Sequence, residues 1–158
     1  MELGILTLGD LQRDPRSGRQ HRAVDRTADA LRYAELADQP GLDVFAAGEH
    51  HSPDLATPSP AVLLAAAAAR TSRIRLTSAV TVLGVHDPVR VYQDFATVDL
   101  ISRGRAEVTV GRSAFAEPFA LFRVRRQRLR RLFAEKLDLL LQIRSHERVS
   151  WSGRYRRR

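Results

Sequence analysis

Gly41-Leu42-Asp43-Val44-Phe45-Ala46-Ala47-Gly48-Glu49-His50-His51 is the stretch whose reading decides the fold. Leu42, Val44 and Phe45 are strand formers, and Ala46, Ala47 and Gly48 are small enough for close packing. A short apolar run after Pro40-Gly41 reads as a buried strand. It ends in three side chains capable of chemistry, Glu49, His50 and His51. Parallel α/β folds place ligands at the carboxyl ends of their strands. These three residues are therefore candidate catalytic groups.

The flanking sequence repeats the same unit. Glu2 to Leu8 predicts a first strand, with Leu3, Ile5, Leu6 and Leu8 apolar. Arg22 to Asp38 predicts a helix, because Val24, Ala28, Leu31 and Ala34 recur at steps of three and four. Ser59-Pro60 predicts a helix start, with Ser as cap and Pro in the first turn, running through Ala69. Ile74 to Val82 reads as a third strand. His86-Asp87-Pro88 opens another helix, whose inner face carries Val91, Phe95 and Val98. Asp87 as its cap accounts for that turn, although His86 and Asp87 also stand where they could face a site. After the turn Ser102-Arg103-Gly104, a fourth strand is expected over Arg105 to Val110, with Glu107 on it paired or exposed. Leu129, Leu132, Phe133, Leu137, Leu140 and Leu141 form the stripe of a last helix, and Val149 to Gly153 reads as a short strand or turn. Strands beginning near residues 2, 42, 74 and 105 fit βαβ units with right-handed crossovers. A complete (β/α)8 barrel needs about 250 residues. The expected fold class is therefore α/β, a partial (β/α)8 TIM barrel of about four β-α units with parallel strands. A doubly wound sheet is the alternative that spacing leaves open.

The 158 residues are 44% hydrophobic, which excludes a disordered composition and suffices for one domain. There is no cysteine, hence no disulfide and no thiolate metal site. No apolar run is long enough for a membrane helix, and the N-terminus lacks a signal-peptide pattern. A soluble cytoplasmic protein without membrane attachment is the default expectation. The net charge of +8 is unevenly distributed. Residues 123–158 hold 12 Arg, one Lys and 3 acids, and Arg123 to Arg131 contains six arginines in nine residues. Such a segment suits phosphate backbones through counterion release. Aromatic residues for base stacking are missing apart from Phe122 and Phe133, so nucleic acid is disfavoured as a partner. A non-catalytic binding or scaffolding protein using this basic segment is the alternative function. A metal site at Glu49, His50 and His51 is disfavoured too, because adjacent side chains diverge on an extended backbone.

Several motifs, in order, resemble the bacterial luciferase-like flavin-dependent monooxygenases. They are Met1-Glu2-Leu3-Gly4-Ile5, Gly41-Leu42-Asp43 leading to Glu49-His50-His51, Arg73 to Val80, Asp87-Pro88-Val89-Arg90, Gly104-Arg105-Ala106-Glu107, and Gly111-Arg112. The resemblance implies a (β/α)8 barrel that uses reduced flavin (FMN) and O2 on a small organic substrate, with F420 as the cofactor of some relatives. By the same resemblance His50 lies beside the flavin and handles oxygen or substrate chemistry. Ser78 and Ala79 end strand 3, where a non-proline cis peptide lies against the flavin ring. Arg112 reaches the flavin phosphate, work that suits a guanidinium fork. The family usually has glycine where Ser113 stands, and tends to have glycine and then acidic residues after Leu121-Phe122, where Arg123 to Arg131 stand here. The resemblance also implies that residues 1–158 are one luciferase-like domain truncated to its N-terminal half. Open strand edges then predict pairing in a homodimer or with a complementary half-barrel chain.

Overall fold

The computed structural model describes residues 1–156, with the backbone alone at Arg126; Arg157 and Arg158 of the basic segment lie outside them. The elements alternate in the order β1 (Gly4–Thr7), α1 (Ala23–Asp38), β2 (Val44–Ala47), α2 (Pro60–Ala68), β3 (Arg75–Ser78), β4 (Thr81–Val82), α3 (Pro88–Ser102), β5 (Ala106–Glu107), β6 (Val110–Gly111), α4 (Glu117–Leu121) and α5 (Leu129–Ser145), with a 3-10 turn at Arg126–Arg128 before α5. β1, β2, β3 and β5 pair side by side, all parallel, in sequence order. Sequential order with helical crossovers is the arrangement of a barrel wall, and four strands make part of one.

Register fixes the two faces of the sheet. Ile5, Phe45, Leu76 and Ala106 stand in one row across the strands and meet the helices in the core. Phe45 and Leu76 are fully buried, worth roughly 1.5–3 kcal/mol each relative to exposure. Leu6, Ala46, Thr77 and Glu107 form the next row and point to the concave side. There Leu6 is exposed, because β1 is an edge strand. Alanine lines the buried side of α1 at Ala30, Ala34 and Ala37, which lets that helix sit close to the sheet. α2 is apolar on nearly all sides and lies between α1 and α3.

Two expected strands are broken. Residues 74–82 form β3, a turn at Ala79 and Val80, and then β4. The fourth strand is likewise divided into β5 and β6, and β4 pairs with β6 in a second, two-stranded sheet. The Ser78 hydroxyl takes the place of ladder contacts at the break, donating to Thr109 O at 3.0 Å and accepting from Thr109 N at 3.3 Å. The peptide bond Ala79–Val80 is cis, one bond after the position that the resemblance suggests. Asp87 caps α3 by accepting from Val89 N at 2.9 Å. Ser59 occupies the corresponding position of α2 without a side-chain cap bond. Residues 149–153 form neither a strand nor a regular turn; instead Glu135 on α5 accepts from the backbone N–H groups of Arg154, Tyr155 and Arg156, each at 2.9 Å. Glu107 pairs with Arg75 at 2.9 Å.

Candidate active site

β2 continues past its last paired residue toward the carboxyl end of the sheet. Gly48 N donates to Thr7 O at 3.0 Å, and His50 N donates to Thr57 O at 3.0 Å. Thr57 Oγ1 in turn donates to Leu8 O at 2.8 Å. The segments that follow β1 and β2 are thus stitched together, and Glu49, His50 and His51 are held where the strand ends. The His50 ring folds back over Gly48: a β-carbon there would lie 3.0 Å from His50 Nε2. A cavity of about 280 Å³ opens at this end, lined by His50, His51, Glu49, Asp10, Ser113 and Phe115 among others.

Glu49 is buried, with 0% of its side chain exposed. Its Oε2 accepts from Val82 N at 2.8 Å. Its Oε1 accepts from two rings, His51 Nε2 and His86 Nε2, each at 2.8 Å. Burial alone would raise its pKa, but the bonds from His86, Val82 N and His51 outweigh burial and hold Glu49 below the usual carboxylate range. An ionised carboxylate only accepts, so the network assigns the Nε2 proton to both rings. His50 makes no such bond. Burial and then neighbouring His51 lower its pKa, opposed by Glu49, so its neutral form dominates near neutral pH.

Segment 113–122, which includes α4, folds over these rings. Phe115 meets His50 edge-on with centroids 5.3 Å apart. Phe122 does the same to His51 at 5.1 Å and to His86 at 5.8 Å. His86, Phe115 and Phe122 are the residues that sequence reasoning left out of the site. The signal for His86 was present, since it follows β4 just before a capped helix, much as Glu49 follows β2.

The other candidate residues lie apart. Ser78 is fully buried and its hydroxyl is engaged with Thr109. Ala79 is half-buried at the cis bond. Arg112 is exposed, does not line the cavity, and has no ion pair among the described residues. Ser113 does line it, with a left-handed backbone at φ 71°. The cavity carries the carboxylates of Asp10, Glu49, Asp54 and Glu117 and, among the described residues, no lysine or arginine. It therefore suits an uncharged ring system better than a phosphate. Ligand pockets run roughly 300–1,000 Å³, so about 280 Å³ accommodates part of a nucleotide cofactor. Arg123, Arg125, Arg128, Arg130 and Arg131 are exposed beyond Phe122.

Known proteins resemble this chain in sequence and fold. The profile of the luciferase-like monooxygenases matches residues 1–158. The chain is 34% identical over 131 residues to an F420-dependent glucose-6-phosphate dehydrogenase of Kineococcus radiotolerans, covering 78% of this chain and 39% of that one. The crystal structure of the monooxygenase RslO1 from Streptomyces bottropensis superposes with a TM-score of 0.89 at 31% identity, covering 99% of this chain and 47% of that one. The oxygenating constituent of 3,6-diketocamphane monooxygenase from Pseudomonas putida, in complex with FMN, shares the fold at a TM-score of 0.86 and 22% identity, with 98% and 42% covered. The chain spans less than half the length of each of the three. The profile match over residues 1–158, on a wall of parallel strands that superposes on a monooxygenase of 31% identity, shows that this chain belongs to the luciferase-like monooxygenase family.

Proposed function

We propose that this chain supplies the flavin-facing half of a monooxygenase site, with His50 as its proton-handling residue. The observation that carries this reading is the cavity at the carboxyl end of β1 and β2, walled by His50 and His51. A reduced flavin bound there would supply electrons to O2; that chemistry belongs to the cofactor. The chain's part is to hold, shield and handle protons. Neutral His50 can accept a proton near neutral pH, and its contact with Phe115 excludes water from one side of the ring. FMN is the first candidate and F420 the second, because the Pseudomonas structure holds FMN and the Kineococcus relative is named for F420. Ser78, Ala79 and Arg112 are assigned to the cofactor by resemblance: the first two where the sheet meets the ring, the third toward the phosphate, outside the cavity. Glu49 and His51 stand behind His50. The substrate is a small organic molecule, and the protein works in the cytoplasm.

We further infer that the functional barrel is completed by a complementary half-barrel chain or by a second copy. β1 and β5 are edges; Leu6 on β1 and Val108 just after β5 are exposed. The test is titration of FMN, and separately of F420, into the chain with and without the C-terminal half of the Streptomyces bottropensis relative. Fluorescence quenching at micromolar cofactor, tighter with the added half, is the expected result. No quenching by either cofactor under either condition would overturn the reading.

A further inference from the structure

The Glu49 carboxylate lies between two cavities. The first is the one walled by His50 and His51. The second, of about 60 Å³, is lined by Glu49, Thr81, His86, Arg90 and Asp94 among others. It has room for about two water molecules. Among the described residues, the buried side-chain polar atoms without a partner are Thr81 Oγ1 and Trp151 Nε1. Thr81 Oγ1 thus offers a water in that cavity a bonding partner that the protein does not occupy. Nδ1 of His51 and of His86 has no hydrogen bond among the described residues either, yet neither is such an orphan. Nδ1 is therefore the nitrogen of each ring that is not committed to Glu49.

We propose that His51, Glu49 and His86 form one protonic unit that links the two cavities, with Glu49 as a positioning residue shared by both imidazoles. One carboxylate oxygen can stabilise a positive charge on either ring, and two positive rings on that oxygen repel each other, so the unit carries at most one extra proton. The proton balance is simple. His51, as the cation, gives its Nδ1 proton to a group in the first cavity and becomes neutral. His86 takes a proton on Nδ1 from hydronium or buffer acid of the solvent, relayed through water in the second cavity that is left neutral, and becomes the cation. Both Nε2–H bonds to Oε1 persist, and the carboxylate faces one positive ring throughout. One proton leaves on the site side and one enters behind it, with no change of oxidation state. The titratable groups facing the unit are neutral His50, Asp10, Asp54 and Glu117 from the first cavity and Arg90 and Asp94 from the second. Use of this unit in catalysis rests on reading the first cavity as the flavin site, whereas the linkage between the rings does not.

The test is NMR of the full chain labelled with 15N-histidine, following ring nitrogens against pH. Neutral His51 and His86 are expected to carry their proton on Nε2. In His86→Asn the midpoint of the His51 signals should move up by about one pH unit, because the competing cation is gone. In Glu49→Gln it should move down. A His51 midpoint unmoved by His86→Asn, or neutral rings protonated on Nδ1, would overturn the proposal. His86 is 30% exposed, so its replacement leaves the core intact if Glu49→Gln does not fold. A purely structural His86, neutral throughout, would show in the unmutated chain no ring-signal change with pH coupled to that of His51. No flavin enters the measurement, so its failure and that of the flavin reading are separable.

Discussion

A left-handed backbone at a residue with a β-carbon costs about 1–2 kcal/mol, and Ser113 and Arg123 both adopt it, at φ 71° and 55°. Arg123 follows α4, where Val124 N donates to Phe119 O at 2.8 Å; this is the wrap-around bond that usually places glycine at a helix end. Arg123→Gly should raise stability by about 1 kcal/mol in chemical denaturation, with the fold unchanged. An unchanged or lower midpoint would count against strain at this residue. At both positions the resemblance implies a glycine, and the left-handed backbone here is the one glycine adopts most readily. That departure was legible in the sequence, whereas its conformation was not. The same holds for Glu49. Its place at a strand end was legible, but its shared oxygen was not, because His86 lies 37 residues away. The sheet register brings the two together, and no local pattern encodes that.

At the scale of elements, two polar residues lock helices to strands. Asp38, at the end of α1, accepts from Ser72 N, Arg73 N and Ile74 N at 3.0, 2.8 and 2.7 Å. Burial raises its pKa, but these three backbone bonds outweigh burial and bring it to about 2. A folded pKa below the unfolded value stabilises above the unfolded pKa, and the gain is lost as pH falls through the folded one. Asp38 should thus contribute about 2 kcal/mol near neutral pH, lost progressively from about pH 4 toward pH 2. Asp38→Asn should abolish that acid-sensitive component in denaturation measured against pH; an identical pH profile would refute it. Arg105 serves the other side of the core with five bonds, to Ser102 O, Thr71 Oγ1, Ile74 O, Ala68 O and Thr71 O. It satisfies carbonyls left free at the ends of α2 and α3. Helix positions were legible because their apolar stripes repeat locally. The divisions of the third and fourth strands were not, because they depend on the Ser78 hydroxyl meeting Thr109 across two strands.

For the whole molecule, the apolar row on the helix side is covered and the concave side is open at both edges. Four parallel strands with exposed Leu6, Leu8 and Val108 present backbone groups that a barrel would pair. The count of β-α units was legible from spacing alone, and their curvature was not, since a doubly wound sheet has the same spacing. The basic segment also changes meaning in three dimensions. Its last described part is tied down, with Arg154 to Arg156 on Glu135 and Arg156 Nε donating to Asp87 at 2.7 Å. Arg123, Arg125, Arg128, Arg130 and Arg131 stay exposed, in the segment that follows Phe122, which touches His51 and His86. The chain thus presents its histidines beneath a short cover at the carboxyl end of the sheet. The most direct test is addition of FMN to the 15N-histidine-labelled chain, watching each ring. The His50 signals should shift with saturable dependence on FMN, while those of His146, at the far end of α5, stay fixed. Signals of His50 that do not move, or that move no more than those of His146, would contradict a flavin seated against His50.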